Sequence, residues 1–306
     1  TSSGSGATTA NTLRSADIDG DGREDLLFAT QSGSNYLWWV QFATASGFGS
    51  PINTGASTTS TSNVLLDDFL GEGKNSILAA NGTTWYQYRW NGTAFNSAST
   101  GVAVESNLST DQATSADTDG DGLADLVTMP GASGIFVYVR RNTSVNGTIS
   151  FASTTTSTYV LNGVTPRIRG NNGYPNSAIR HLDFDGDGRD DIVIYIVGLH
   201  TNGVVPYLAR GGAFVRSSEW SYYYPPNTLA SSIPVKWNDD ACTDMMTTRD
   251  VRIAPCAGGA VTLFPYSSTS ATSIASVDWD GDGRTDAMAN MSGTWMVYRS
   301  LATAAA

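Results

Sequence analysis

One stretch decides the fold because it recurs along the chain: Asp117-Thr118-Asp119-Gly120-Asp121-Gly122-Leu123-Ala124-Asp125, followed by the apolar pair Leu126-Val127. Each complete copy is a nine-residue loop with acids at positions one, three, five and nine and glycines at positions four and six. Two weaker copies keep only part of this pattern. We name the six copies loop A (17–25), loop B (68–76), loop C (117–125), loop D (183–191), loop E (236–244) and loop F (278–286), of which B and E are the weaker ones.

The spacing of the copies indicates a repeated β-structure. Their first residues are separated by 51, 49, 66, 53 and 42 residues, which is typical of one four-stranded propeller blade per copy. A short apolar run, a turn, an aromatic-rich strand and a glycine turn before a phenylalanine follow the loops, as at residues 26–29, 36–42 and 48. No segment has the apolar period of a helix. We therefore predict an all-β fold, a β-propeller of four-stranded antiparallel blades, six in number with seven as the alternative.

Three local features refine this fold. The apolar run after each loop has no polar face, so we expect it to be sandwiched between neighbouring blades. Asn81-Gly82 lies between two apolar runs and predicts a type I′ hairpin turn, in which both central residues have positive φ. The last copy lacks a fourth strand, and residues 7–13 are expected to supply it, because a closed ring hides its strand edges. Residues 1–306 are expected to form one domain, with residues 1–6 and 302–306 as terminal or linker segments.

The acids of the complete loops have the chemistry of calcium ligands. When the backbone coils tightly, the side chains of positions one, three and five point at a common centre, the carbonyl of position seven adds a contact, and the acid of position nine completes the set. Hard oxygen donors in this number suit calcium better than magnesium, which demands a tighter octahedron. Four calcium ions are therefore predicted. Their ligands are Asp17, Asp19, Asp21, Arg23 and Asp25 in loop A; Asp117, Asp119, Asp121, Leu123 and Asp125 in loop C; Asp183, Asp185, Asp187, Arg189 and Asp191 in loop D; and Asp278, Asp280, Asp282, Arg284 and Asp286 in loop F.

Two other interpretations of the loops are weaker. An EF-hand shares the first six positions, but its bidentate acid stands at position twelve and helices flank it, whereas here the acid is at position nine and strands flank the loop. Ordinary Asp-Gly turns would leave four or five carboxylates crowded without a cation, at a cost of roughly 1 kcal/mol for each close pair. Loops B and E have lost part of the pattern, so metal ligation by Asp68, Glu72, Asp240 and Asp244 is not expected.

The acidity of the chain is local rather than general. The formal net charge is −11, and 18 of the 28 acidic residues lie in loops A, C, D and F. Four calcium ions would bring the net charge to −3, so the acidity reflects metal ligation rather than a basic partner. With 17 lysines and arginines and no basic run, a nucleic-acid partner is not expected. No apolar stretch approaches the ~20 residues of a transmembrane helix.

The loop pattern Asp-x-Asp-Gly-Asp-Gly-x-x-Asp, together with the downstream Gly-x-x-Phe strand, resembles the FG-GAP/VCBS repeat over residues 12–300. Such repeats build the head of integrin α subunits, certain fungal lectins, and propellers of bacterial Rhs/SpvB-type surface or toxin proteins. The resemblance implies a calcium-bearing propeller in which the loops join the first and second strands of each blade. It does not select a ligand, because propellers host many functions.

The chain has two cysteines, Cys242 and Cys256, which lie symmetrically about Arg249. Residues 245–248 and 251–254 are predicted to form a hairpin, which would bring the two cysteines within disulfide range. The alternative is two free buried thiols. A disulfide, loops suited to millimolar calcium, and a composition rich in Ser, Thr and Asn favour an extracellular, secreted or cell-surface location.

The sequence favours recognition over catalysis. Two unusual connections, at residues 154–177 and after Trp220, are expected on the face opposite the calcium loops, where aromatic and arginine side chains suit a glycan or a protein partner. The alternative is that these rings cover a neighbouring blade. His181 is expected to be a packed strand residue and His200 a solvated one. The candidate ligand-binding residues are Arg167, Arg169, Tyr174, Trp220, Tyr222, Tyr223 and Tyr224.

Three functions follow from these patterns. We predict a noncatalytic recognition or scaffold propeller that is part of a larger secreted or cell-surface protein and takes part in adhesion. The first alternative is a carbohydrate-binding lectin. The second is a polysaccharide-degrading enzyme such as a lyase, which would require a basic or histidine cluster around Arg167, Arg169 and His181.

Overall fold

The computed structural model of the chain is all-β. Its strands form six antiparallel sheets and one two-stranded ribbon within the residues that the structure describes. The chain divides into two compact units with a boundary close to residue 157, within the last strand of sheet three. Sheets one and two lie in the first unit and sheets four to six in the second. In the described part of the chain no helix is long and apolar enough to cross a membrane. The described residues are 13–61, 64–105, 113–129, 136–159, 179–197, 202–211, 213–217, 222–223, 233–238, 240–253, 262–265, 271, 273–277, 284, 286–292 and 294–300.

The first sheet contains β1 (Leu13–Ala16), β2 (Asp25–Ser32), β3 (Asn35–Gln41) and β6 (Ile52–Thr58), in that order. One prediction for this region is wrong, and a second is contradicted at Leu13 alone. The strand at Phe48 is not the outer strand, because β5 (Gly47–Phe48) pairs with β4 (Ala43–Thr44) in the separate ribbon and β6 takes the outer place. Leu13 pairs with Phe28 in this sheet and not in the last one, while residues 7–12 lie outside the described residues.

Sheets two to five repeat this order of strands, and sheet four has an additional short strand, β19, beside β17. Sheet six has three strands among the described residues. Sheet two contains β7 (Val64–Asp67), β8 (Ser76–Asn81), β9 (Thr84–Trp90) and β10 (Phe95–Ala103), and sheet three contains β11 (Ala113–Ala116), β12 (Asp125–Thr128), β13 (Phe136–Arg140) and β14 (Thr156–Tyr159). Sheet four contains β15 (Ile179–Leu182), β16 (Asp191–Val197), β17 (Asn202–Arg210), β18 (Ala213–Arg216) and β19 (Tyr222–Tyr223). Sheet five contains β20 (Ile233–Val235), β21 (Asp244–Met246), β22 (Asp250–Ile253) and β23 (Thr262–Pro265), and sheet six contains β24 (Ser273–Val277), β25 (Asp286–Met291) and β26 (Thr294–Tyr298).

The second strand of a sheet serves two hydrophobic cores at once, as β8 shows. Ile77 and Ala79 belong to the core that contains Trp38 of sheet one, whereas Leu78 and Ala80 belong to a core shared with sheet three. Successive side chains of a strand point to opposite faces, so a strand packed on both faces is apolar throughout. The prediction that the run after the loop is sandwiched between neighbouring sheets is confirmed here.

The hairpin between β8 and β9 has a different turn from the one predicted. Asn81 pairs with Thr84 as the last residue of β8, so the two central residues of the turn are Gly82 and Thr83. Gly82 has a φ of 63°, and among the described non-glycine residues only Asn146 and Ser292 have positive φ. Positive φ at the first central position alone is the pattern of a type II′ turn, which also requires glycine there.

Candidate metal centres

Each loop joins the first and second strands of its sheet. Position nine is the first residue of the second strand, as with Asp25 in β2, Asp125 in β12 and Asp191 in β16. All six loops therefore lie at the same end of their own sheets, where the second strand begins. Strands, not helices, flank the loops, as the sequence predicted.

The aspartate at position one coils the loop. In loop A, Asp17 Oδ1 accepts a hydrogen bond from Gly20 N at 2.8 Å, and Asp17 Oδ2 accepts one from Gly22 N at 2.8 Å. Both glycines have φ near +80°, a conformation that costs a residue with a Cβ about 1–2 kcal/mol. Asp183 of loop D bonds its own two glycines in the same way, at 2.8 and 3.1 Å. The glycines are thus required by the coil that draws the acids together.

The aspartate at position nine anchors the loop to the sheet. Asp25 is fully buried; its Oδ2 accepts a hydrogen bond from Ile18 N at 2.9 Å and its Oδ1 accepts one from Ala43 N at 2.8 Å. This acid therefore ties position two of its loop to the backbone near the end of the third strand. The second contact recurs elsewhere, with Asn142 N on Asp125 at 2.7 Å, Ala209 N on Asp191 at 2.6 Å and Ser300 N on Asp286 at 2.7 Å.

Three loops bring carboxylates together closely enough to share one cation. In each group the ligand oxygens lie within 4.8 Å of one another. Calcium–oxygen distances of 2.3–2.6 Å allow oxygens on one ion to be up to about 5 Å apart, so this spacing fits calcium. The groups are Asp17, Asp19 and Asp25 in loop A; Asp117, Asp119 and Asp121 in loop C; and Asp183, Asp185 and Asp191 in loop D.

A second observation supports a cation in loop D. The Oδ1 atom of Asp185 is buried and accepts no hydrogen bond within the described residues, although the other oxygen of this carboxylate bonds Arg210. A buried carboxylate oxygen without a donor or a cation is costly. Residues of this loop therefore fit a calcium ion, which would supply a positive charge at that oxygen.

The residue at position seven decides where the acid at position five lies. Arg23 N donates to Asp21 Oδ1 at 2.9 Å, and its guanidinium bonds Asp21 Oδ2. In loop C position seven is Leu123, which has no charge, and Asp121 is part of the carboxylate group. The side chain at position seven was not part of the sequence prediction, which assigned only its carbonyl to the metal.

The pKa values of two acids in loop D are shifted in opposite directions. It raises the pKa of Asp191 to about 7, and the neighbouring carboxylates add to this effect. Burial also acts on Asp187, but the hydrogen bonds and the charge of Arg189 outweigh it, so the pKa of Asp187 lies below its ordinary value. A cation favours the ionised form of a nearby acid. Burial therefore opposes ionisation of Asp191, and a cation bound nearby would favour its ionised form.

The weaker loops hold side-chain cations. In loop B, Asp68 keeps the coil through Glu72 N at 3.0 Å and Gly73 N at 2.7 Å, and Glu72 forms an ion pair with Arg89. In loop E, Lys236 stands at position one, and its Nζ donates to Ala241 O at 2.6 Å. The described carboxylates of these two loops form no group of the kind seen in loops A, C and D.

Two pairs of consecutive loops, A with B and D with E, contact each other directly. Asn75 N of loop B donates to Asp17 O of loop A at 2.7 Å, and Thr243 N of loop E donates to Asp183 O of loop D at 3.0 Å. Glycine at position four permits this approach: a Cβ built on Gly186 would lie 2.8 Å from Ala241 Cβ. The weaker loops therefore pack against complete ones, which the sequence did not reveal.

Asn142 is a further structural residue that sequence reasoning missed. Its side chain is buried, and its Nδ2 donates to Phe69 O of loop B at 2.9 Å and to Ala124 O of loop C at 2.8 Å. Its Oδ1 accepts a hydrogen bond from Ser144 N at 2.8 Å. One amide thus joins two neighbouring loops.

Several predicted residues lie partly or wholly outside the described chain. Of loop F only Arg284 and Asp286 are described, and Asp286 is buried at the start of β25. Tyr222 and Tyr223 form β19, which pairs with Gly203 and Val204 of β17. The remaining candidate ligand-binding residues and His200 lie outside the described residues, namely Arg167, Arg169, Tyr174, Trp220 and Tyr224.

Two other predictions concern His181 and the cysteines. His181 lies in β15 with its Nδ1 3.6 Å from Asp190 Oδ2, and its side chain is 38% exposed, so it is not fully packed. The hairpin around Arg249 is present, because Met246 pairs with Val251. Cys242 is buried and disulfide-bonded, while its predicted partner Cys256 lies outside the described residues.

Comparison with known proteins places the fold but not the family. No protein-family model matches the chain, and no curated protein matches it. The structure is similar to that of a chain in the Tc holotoxin pore of Photorhabdus luminescens, with a TM-score of 0.54 and 16% sequence identity. The likeness is one of fold alone. The match covers 94% of this chain and 14% of the toxin chain, so this chain spans a small part of that protein's length.

Proposed function

We propose that this chain is a calcium-stabilised β-propeller that acts as a noncatalytic recognition or scaffold module of a larger secreted or cell-surface protein. The observation that carries the proposal is the convergence of three carboxylates in each of loops A, C and D, within 4.8 Å of one another. Loop F completes a set of four calcium sites. Each of the six loops opens the second strand of one sheet, which supports six blades of the FG-GAP/VCBS type.

Calcium in this account has a structural role. When bound, it supplies positive charge between acids that otherwise repel one another. The chain's own contribution is the coil made by position one, the buried anchor at position nine, and the contact between successive loops. A loop held in this way fixes the end of its sheet and leaves other surfaces for a partner.

Two observations favour an extracellular location for the module. Calcium sites of extracellular modules are suited to millimolar calcium, and Cys242 is disulfide-bonded, which favours an oxidising compartment. The structural likeness to a small part of a Tc holotoxin chain supports a module within a large secreted protein of the toxin type. The partner is proposed to be a glycan or a protein.

The recognition role is tested with the full chain on a glycan array and against candidate protein partners, each in millimolar calcium and in EDTA. We expect at least one partner to bind in calcium and to be lost in EDTA. The variant with Tyr222→Ser and Tyr223→Ser is expected to lose the partner while it keeps the melting temperature of the parent. Calcium-dependent cleavage of a polysaccharide would contradict the noncatalytic role.

A further inference from the structure

Loop D differs from loops A and C in the residue that follows its anchor contact. The backbone N–H groups that bond the position-nine acids of loops A, C and D belong to Ala43, Asn142 and Ala209. The next residue is a threonine in loop A (Thr44) and in loop C (Thr143), but it is Arg210 in loop D. A cation therefore stands at this position in loop D but not in loops A and C, although the three loops share one design.

The guanidinium of Arg210 reaches the acids of loop D. Its Nη1 donates to Asp187 Oδ2 at 2.6 Å and to Ala209 O at 2.9 Å. Its Nη2 bonds Oδ2 of Asp185, which belongs to the carboxylate group of this loop. Arg210 thus bridges the acids at positions three and five.

We propose that Arg210 is an internal competitor of calcium at loop D, which makes loop D a weaker and more exchangeable site than loops A and C. The inference rests on the proposed calcium binding. Calcium requires carboxylate oxygens at 2.3–2.6 Å, and a guanidinium on the same carboxylates opposes a second cation by charge and by space. Calcium therefore has to displace Arg210, and in the absence of metal Arg210 supplies the positive charge that the acids of loop D need.

Loop B shows the same pairing of a cation with a loop acid, and loop E has a cation at position one. Glu72 at position five of loop B is paired with Arg89, and Lys236 occupies position one of loop E. These loops have fewer of the metal-binding acids than loops A, C and D, and each contains or contacts a side-chain cation. Loop D has both the acids and the cation, so it stands between the loops that depend on metal and those that do not.

The test measures calcium binding to the metal-free full chain by isothermal titration calorimetry. Asp185→Asn first identifies the binding step that belongs to loop D, because that step is lost. Arg210→Gln is expected to tighten this step about three- to tenfold, the worth of two partly exposed ion pairs, and to leave the other steps unchanged. Arg216→Gln removes the same charge from an exposed position on β18 and is expected to change no step by more than about twofold.

The reverse change gives an independent arm. Thr44→Arg introduces a cation at the matching place in loop A, and it is expected to weaken the step of that loop by a similar factor. Thermal unfolding separates competition from a merely structural role. Arg210→Gln is expected to lower the melting temperature in EDTA. In calcium the difference in melting temperature between this variant and the parent is expected to be smaller or of opposite sign.

The outcomes distinguish this inference from the proposed function. If the parent chain binds no calcium, the proposed function fails. If the parent binds calcium but Arg210→Gln leaves the loop D step unchanged, or weakens it, the competitor role is wrong while the metal sites stand. Equal loss of melting temperature in calcium and in EDTA would also overturn the competitor role.

Discussion

Asn142 offers the sharpest test of how neighbouring loops are held together. Its buried amide donates to Phe69 O in loop B and to Ala124 O in loop C, and it accepts from Ser144 N. Asn142→Ala removes all three hydrogen bonds and leaves two buried carbonyl groups without that donor. The backbone N–H of residue 142 still bonds Asp125, so the anchor of loop C is kept.

The expected loss follows from those contacts. A hydrogen bond contributes about 0.5–1.5 kcal/mol net, and an unpaired buried polar group costs about 1–3 kcal/mol. We expect Asn142→Ala to lower the free energy of unfolding by about 2–4 kcal/mol. Asn142→Asp has nearly the same shape but places a carboxylate against two carbonyl oxygens, so its loss is expected to be larger than that of Asn142→Ala.

The assay is urea unfolding of the full chain in calcium, followed by intrinsic fluorescence. Asn91→Ala serves as the matched control, because Asn91 is exposed and bonds only its own turn, through Thr93 N and Ala94 N at 2.9 Å. Its loss is expected to be about 0.5 kcal/mol. If Asn142→Asp unfolds at the same urea concentration as the parent, the bridge between loops B and C is not what stabilises this region.

The remaining predictions concern loop contact, loop B and the cysteines. Gly186→Ala is expected to lower the free energy of unfolding by urea by about 2–4 kcal/mol, because its Cβ would meet Ala241 at 2.8 Å at a positive φ. The control Gly188→Ala, whose Cβ would have no atom within 4 Å, is expected to lower it by about 1–2 kcal/mol. Equal losses would refute the close approach of Gly186 to Ala241. Arg89→Gln is expected to lower stability by about 0.5–1 kcal/mol equally in calcium and in EDTA, and a loss confined to one condition would show that loop B responds to metal. A thiol assay on unreduced, denatured protein is expected to find no free thiol, and reduction is expected to cost about 2–4 kcal/mol; two free thiols would contradict the disulfide at Cys242.

The repeated parts of the molecule were predictable because their determinants are local. Alternating acids and glycines within nine residues specify the coil seen at Asp17 and Asp183. The apolar run after each loop specified a strand packed on both faces, which β8 confirms. The prediction of the outer strand of sheet one was wrong. Phe48 has the local pattern that starts a strand, but β3 pairs with β6, which lies farther along the chain.

The contacts between loops were not predictable for a physical reason. Asn142 lies 73 residues from Phe69, with which it bonds, and no local pattern marks an asparagine that fills such a place. Arg210 meets Asp185 across 25 residues, and only an alignment of the residues around the ends of the third strands would have singled it out. Long-range contacts of this kind decide how each loop departs from the repeat.

The most direct test of the central claim is the melting temperature of the chain in millimolar calcium and in EDTA, with magnesium as the matched control ion. At free calcium of about 100 times the dissociation constant, each filled site adds about 2.7 kcal/mol, so loops A, C and D together add about 8 kcal/mol. At about 2–4 °C for each kcal/mol, EDTA is expected to lower the melting temperature by about 15 °C or more, and magnesium is expected to restore only part of it. A melting temperature that is the same in calcium and in EDTA would contradict the account.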